Sequence, residues 1–350
     1  MNEVRVEPTL KAIAGVARAY RNVVVCSPPV PVLAAPKPVR HSGYDFELVV
    51  QEAVAVADDV ISLRLAAPDN LALPTWTPGA HLDVFLPSGR QRQYSLCGDP
   101  TDRSYYRIAV RRVPNGTASA EVHEHVKAGD SLRVRGPRNA FSFIEAPAYV
   151  LLAGGIGITP ILPMFRAAAH AGVPTRLVYT GRTRASMPFV ADIESISAPS
   201  RILPDDEYGA PNLTEHLVDI PPGAAVYVCG PPPMLESART LLPQVNSTAS
   251  LHMERFSAAP VRGGAPFQIK LARTGSTVDV AADETALAAI RRAFPGVAYS
   301  CQQGFCGSCK TRVLHGDVDH RDRLLTEPER QHSMLTCVSR SVDGPLILDL

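Results

Sequence analysis

What this chain has little of narrows the field before any motif is considered. Its 35 Lys and Arg stand against 34 Asp and Glu, a formal net charge of +1, so it has neither the basic excess of a nucleic-acid surface nor an acidic tail. No run approaches the ~18 to 20 apolar residues that a membrane span requires. A secretory signal is lacking too, because the apolar run at residues 12–17 is short and interrupted, and Glu3 and Glu7 precede it. Seven cysteines, an odd count without such a signal, argue against a disulfide framework and for a reducing compartment. The expectation is a soluble cytoplasmic protein. Its 350 residues leave room for two or three domains, and its 32 prolines concentrate at boundaries and loops.

The strongest signal lies near the end. Cys301, Cys306 and Cys309 follow the spacing C-x4-C-x2-C, and Cys337 stands apart as a fourth thiol. That is the ligand pattern of plant-type 2Fe-2S ferredoxins, in which four thiolates converge on two irons from a tight loop. Gly304 and Gly307 let such a loop wrap closely around its ligands. Structural zinc is the alternative for four cysteines, but zinc sites usually pair two short clips, and here the fourth thiol is solitary.

Ahead of this loop the chain reads as a series of units. Residues 1–43 are an N-terminal extension, with Leu10, Ile13, Ala14, Ala17 and Val24 at helix-like spacing, followed by a proline-rich linker at 27–38. Residues 44–147 alternate as short strands at 46–50, 60–66, 81–86, 91–96, 105–111 and 131–135, which suggests an antiparallel barrel. One helix interrupts them at 119–127, with Ser119 suited to its N-cap. The Gly116 loop that feeds this helix would present backbone N–H groups and a positive dipole end to a phosphate. On the strand at 91–96, Arg92 can fork onto a phosphate, Tyr94 offers a flat face, and the Ser95 hydroxyl can reach a ring heteroatom. Those are the parts a flavin mononucleotide, FMN, needs. FAD is less favoured, since no adenine platform stands out.

Residues 148–257 alternate strands and helices as an open α/β parallel sheet does. The apolar strand at 148–155 runs into Gly154-Gly155-Ile156-Gly157-Ile158-Thr159-Pro160, where Thr159 can cap and Pro160 suits the first helical position. Pro160 stands where the dinucleotide fingerprint has its third glycine. Strands at 175–180, 201–203 and 224–229 and helices at 188–196 and 213–218 follow, and the last strand ends in Cys229-Gly230-Pro231 before a helix from about 232. Ligands bind beyond the carboxyl ends of such strands, so Cys229 falls where a nicotinamide would lie. Arg182 and Arg184 follow the second strand with no acid at its end, which leaves NADH against NADPH open. Residues 258–265 form a second linker, and 266–350 read as strand, strand, helix, cluster loop, strand.

The Arg92-Gln93-Tyr94-Ser95 motif, the strand residues Ala109, Val110 and Arg111, and the Gly116 loop resemble the flavin domain of the ferredoxin reductase superfamily. With the 154–160 glycine loop and the C-terminal cysteines, the order resembles the phthalate dioxygenase reductase family, which includes vanillate demethylase reductase subunits. The resemblance covers about residues 44–350. It implies an antiparallel β-barrel flavin domain, an α/β nucleotide domain and an α+β, β-grasp-like ferredoxin domain. It also implies flavin contacts from Arg92, Gln93, Tyr94, Ser95, Ala109, Val110, Arg111, Gly116, Thr117, Ala118, Ser119, Thr159 and a stacking Phe256. Nucleotide contacts would come from Gly155, Gly157, Thr159, Arg182, Arg184, Cys229, Gly230 and Pro231, with Ser95 and Cys229 at the reacting ring. The implied activity is NADH-dependent reduction of flavin, then single-electron transfer through the 2Fe-2S cluster to a Rieske-type oxygenase in a transient complex, from a monomeric reductase. A cytochrome P450 partner is the rival, and a redox-sensing or zinc-stabilised module without turnover is the reading from a different class.

Overall fold

The computed structural model describes residues 44–350 except Asn115, residues 257–260, Pro295, Ser300, Cys301, Phe305 and Cys306. The expected N-terminal helix and its linker, and the expected cluster ligands Cys301 and Cys306, lie outside the described residues.

Six strands form the first sheet: β1 (Tyr44–Ala57), β2 (Val60–Ala66), β3 (Ala80–Phe85), β4 (Gln91–Ser95), β5 (Tyr106–Arg111) and β6 (Ser131–Asn139), in the antiparallel order β4-β3-β6-β1-β2-β5. The sheet curls shut where Leu96 bridges Ile108 and the Cys97 N–H donates to the Arg107 carbonyl at 2.9 Å. Alternation drives the closure, because Leu48, Leu63, Leu82, Leu96, Ile108 and Leu132 all turn into one core. The first strand runs past its expected end at Val50, since a register shift between Val50 and Glu52 breaks the alternation without ending the pairing. Helix α1 (Thr117–His125) begins two residues before the expected Ser119. Gly116 is its N-cap, and Ser119 instead turns its hydroxyl back into the loop, accepting from the Val113 N–H at 3.0 Å and donating to the Gly116 carbonyl at 3.1 Å.

The second sheet is parallel: β7 (Tyr149–Gly154), β8 (Thr175–Gly181), β9 (Ser200–Pro204), β10 (Ala225–Cys229) and β11 (Ser250–Glu254), ordered β11-β10-β7-β8-β9. Every residue of β7 is buried, as a strand covered on both faces requires. The chain steps outward from β7 to β9 and then returns to the other side of β7, so the switch point lies between β7 and β10. Its helices are α2 (Ile158–His170), α3 (Val190–Glu194), α4 (Asp205–Tyr208), α5 (Leu213–Leu217) and α6 (Pro232–Val245). A 3-10 turn at Gly155–Gly157 feeds α2 directly, so the helix starts ahead of Thr159 and Pro160, and the Thr159 hydroxyl donates to the Ile156 carbonyl at 3.0 Å instead of capping. Helix α3 is shorter than the expected 188–196 because Phe189 is left-handed, with φ of 66°, and the Pro188 carbonyl accepts from the Tyr179 hydroxyl. Neither α4 nor the edge strand β11, partly exposed throughout, is legible as periodicity.

Barrel and parallel sheet share one core: Val60, Ala109 and Phe141 pack with Leu151, Ile161, Phe165 and Tyr179. Arg107 of β5 adds an ion pair to Asp192 of α3 at 3.0 Å.

The third sheet has β12 (Phe267–Leu271), β13 (Thr277–Val280), β14 (Lys310–His315), β16 (Ser333–Leu335) and β18 (Leu346–Leu348), in the order β13-β12-β18-β14-β16, with β15 (Val318–Asp319) paired to β17 (Arg340–Ser341) beside it. Strands β12 and β18 are parallel and the other pairs antiparallel, the mixed pattern expected of a β-grasp-like domain. Helix α7 (Ala286–Ala293) is capped by the Thr285 hydroxyl, which accepts from the Ala288 N–H at 3.1 Å, and buries Ala286, Leu287, Ala289 and Ile290. A short helix α8 (Glu327–Arg330) precedes β16. Arg340, 1 % exposed, ties the linker down by donating to the carbonyls of Glu284, Ala265 and Ala281. A charge that deep holds only because its donors are satisfied. No helix among the described residues is long and apolar enough to cross a membrane.

Candidate active site

All three sheets contribute to one cleft. Strand β4 supplies Arg92, Gln93 and Ser95; His81 stands opposite Ser95 on β3; Glu254, Arg255 and Phe256 come from the end of β11; and Tyr299, Gln302 and Gln303 come from the cluster loop. Phe256 keeps 49 % of its surface exposed, as a ring available for stacking would. The cleft is fastened as well as lined. The Gln93 amide donates to Asp83 at 2.8 Å and to the Tyr299 carbonyl at 3.1 Å, while the Tyr299 hydroxyl donates to the Gln91 carbonyl at 3.2 Å. Asp83, 1 % exposed, is paired with Arg138. Gln303 closes the other side by donating to the Arg255 carbonyl at 3.3 Å.

The electrostatics of this cleft follow from burial. Desolvation, with Arg138 nearby, pushes His81 down to about 3, so its ring is neutral at pH 7. Tyr94 is pushed up to about 12 by burial and packs partly buried against the barrel core. Glu254, two residues before Phe256, has no motif in the sequence to mark it. Burial raises its carboxyl to about 8, and its Oε2 is buried without a hydrogen-bond partner. A neutral acid on a cleft wall can hold a proton and give it up.

The two expected nucleotide motifs meet at the switch point. A Cβ on Gly157 would lie 2.2 Å from the Cys229 carbonyl oxygen, and one on Gly154 would lie 2.6 Å from Pro231, so the glycine loop packs against Cys229-Gly230-Pro231 with no space for side chains. Arg111 reaches over the turn, 3.5 Å from where a Gly155 side chain would begin. Cys229 itself is fully buried in the shared core, its thiol raised by desolvation and by Glu254, its register partner. Ala109 and Val110 are core residues, and the Val110 carbonyl accepts from His123. Thr117 is exposed at the start of α1, whose first turn no side chain caps, while Ala118 and Ser119 are buried. Arg182 and Arg184 are exposed beyond β8, and Arg184 pairs with Glu194 at 3.4 Å. No acid follows β8 in the sequence, but Asp205 and Asp206 open α4 beyond the neighbouring β9, and the Asp206 N–H donates to the Arg182 carbonyl at 3.1 Å. They were missed because they follow a different strand in sequence.

Of the four cysteines expected to hold a cluster, Cys309 and Cys337 are described. Both are buried, and they share one apolar cluster with Leu287, Tyr299, Leu325 and Leu335. The loop needs its glycines: Gly304 and Gly307 have φ of 78° and 76°, and a Cβ on Gly304 would lie 2.7 Å from Val338. Two buried sulfur donors in one apolar cluster beside a tightly turned loop fit a 2Fe-2S cluster.

Comparisons with known proteins agree with this geometry. Residues 269–342 match the 2Fe-2S iron-sulfur cluster binding domain, and residues 47–143 match the oxidoreductase FAD-binding domain. The chain is 36 % identical over 306 residues to the phthalate 4,5-dioxygenase oxygenase reductase subunit of Pseudomonas putida, covering 84 % of this chain and 94 % of that one. It is also similar to the solved phthalate dioxygenase reductase, described as a modular structure for electron transfer from pyridine nucleotides to 2Fe-2S, with a TM-score of 0.67 and 34 % identity over 87 % of this chain and 98 % of that one. The chain belongs to the phthalate dioxygenase reductase family. Like other phthalate dioxygenase reductase family members it is an oxidoreductase, with a flavin-binding barrel and a 2Fe-2S domain. A type IV self-sufficient cytochrome P450 monooxygenase matches with a TM-score of 0.67 and 35 % identity over 93 % of this chain and 45 % of that one.

Proposed function

We propose that this chain is the reductase component of a Rieske-type dioxygenase or demethylase system, taking electrons from NADH and passing them singly to a separate terminal oxygenase. The observation that carries the reading is the single cleft in which β4, the end of β11 and the cluster loop meet. We divide the chain accordingly into a flavin barrel (44–147), a nucleotide domain (148–257), a linker (258–265) and a ferredoxin domain (266–350). Flavin, when bound, supplies the conversion between hydride and one-electron chemistry.

The residues of the chain do the positioning. Arg92 and the uncapped first turn of α1 are suited to a phosphate, and Ser95 and Phe256 to the ring. The flavin is FMN on this reading, because the short Gly116 loop provides for a terminal phosphate; FAD is the alternative. Gly155, Gly157, Gly230 and Pro231 leave the close backbone surface that a nicotinamide nucleotide needs, and the carboxylates of Asp205 and Asp206 favour NADH through its ribose hydroxyls over NADPH. Cys301, Cys306, Cys309 and Cys337 hold the cluster; the Tyr299 hydrogen bonds keep its loop against the flavin strand, and that of Gln303 keeps it against Arg255 beyond β11. The protein acts in the cytoplasm as a monomer that meets its oxygenase transiently. The likeness to a self-sufficient P450 makes a P450 the second candidate for the acceptor.

An anaerobic visible spectrum taken before and after NADH, with NADPH run separately and the released flavin identified, tests this. Overlapping flavin and iron–sulfur bands that bleach with NADH are expected. Protein containing zinc in place of iron, or bands that neither nucleotide bleaches, would remove the electron-transfer reading.

A further inference from the structure

Gln303 and Arg255 line a second space besides the flavin cleft. It is an open groove bounded by α6 and β11 on one side and by the cluster domain on the other, where Cys337 and Val338 reach its wall. Among the described residues five arginines line it, Arg239, Arg255, Arg262, Arg321 and Arg323; Glu236 on the same wall pairs with Arg239, and Asp319 pairs with Arg321, each at 2.6 Å, which leaves an excess of positive charge. The chain as a whole is nearly neutral at +1, so this is a local concentration of charge. Arg239 donates to the Glu236 carboxylate at 2.6 Å, and Arg262 and Arg255 line the same groove.

Nucleotide phosphates do not account for this charge. The groove follows β11, one edge of the parallel sheet, whereas Arg182, Asp205 and Asp206 gather beyond β8 and β9 at the other edge. The groove does adjoin a cluster ligand, since Cys337, itself 2 % exposed, lines it. One cluster loop thus borders both the flavin cleft, where electrons arrive, and a cationic surface open to solvent.

Resting on the function proposed above, we propose that this groove is the docking surface for the electron acceptor and that it receives an acidic face of a one-electron acceptor protein, with the electron leaving past Cys337. Redox encounters of this kind are small and governed by charge, which steers the partner to a productive orientation. One NADH, oxidised to NAD+ with release of a proton, then reduces two ferric acceptor molecules.

The test uses the full-length holoprotein with NADH and two haem proteins as probes, acidic cytochrome b5 and basic cytochrome c. The double variant Arg239→Glu/Arg262→Glu alters two exposed side chains. It should lower kcat/KM for cytochrome b5 about tenfold at low ionic strength, with the gap closing as salt is added, and should not slow cytochrome c. Glu236→Gln should act in the opposite direction on cytochrome b5. Anaerobic flavin bleaching by NADH and the iron–sulfur bands should match wild type in both variants. Unchanged cytochrome b5 kinetics in the double variant would overturn the assignment, as would a raised KM for NADH, which would give the arginines to the nucleotide. A wild-type protein that bleaches with NADH yet passes nothing to cytochrome b5 would reject the acidic acceptor alone. One that NADH cannot bleach would instead bring down the reductase reading itself.

Discussion

Glu254 sits in an environment that works against the charged form of its side chain. A carboxyl raised to about 8 binds its proton more tightly folded than unfolded, so between its ordinary value of 4.5 and 8 the folded state holds the extra proton. Stability attributable to this group therefore falls as pH rises through that window, by up to about 1.4 kcal/mol per pH unit. Glu254→Gln keeps the shape and removes the titration. Chemical denaturation at pH 6 and pH 9 should show a smaller loss of stability at high pH in the variant than in wild type. Equal losses would mean that Glu254 is not held neutral. If the same group handles a proton during flavin reduction, the wild-type rate should change near pH 8 and the variant's should not. Nothing in the sequence marks Glu254, because its burial comes with the pairing of β11 to β10, where its register partner is Cys229, 25 positions earlier.

At the scale of elements, the contact between the start of α2 and the end of β10 is the tightest constraint on the nucleotide side. The obstacle to a side chain on Gly157 is backbone, the Cys229 carbonyl at 2.2 Å, which cannot swing away. Gly157→Ala should therefore cost about 1–3 kcal/mol by overpacking and raise the KM for NADH by moving α2 off the sheet. A denaturation midpoint and a KM both matching wild type would show that the loop has slack. The strands were legible one by one, since alternation and apolar runs are local: β2 and β7 stand close to where the pattern put them. Helix starts were less so. Ser119 and Thr159 have the chemistry of caps, yet each turns its hydroxyl to a nearby loop carbonyl, and which partner a short polar side chain takes depends on where the loop lies.

For the whole molecule, the question is how far the cluster domain can be uncoupled from the rest. Barrel and parallel sheet share a core, whereas the C-terminal sheet has its own and meets the barrel through the hydrogen bonds of Tyr299 and Gln93. Cys309→Ser should abolish the iron–sulfur absorbance and leave NADH-driven flavin bleaching within about twofold of wild type, since the flavin side keeps its own core. Loss of the flavin as well would show that the cluster loop is part of the flavin site's framework. The order of the three units, the cysteine spacing and most strands were fixed by residues close in sequence, because ligand spacing and side-chain alternation are properties of short stretches. Tertiary structure alone decided what meets across distance: Arg92 with Glu254 and Gln303 in one cleft, Asp206 beside Arg182, and Arg239 facing Arg323 across a groove. Those meetings depend on the order of strands in a sheet and on how one sheet is laid against another, and neither is written in any window short enough to show a pattern.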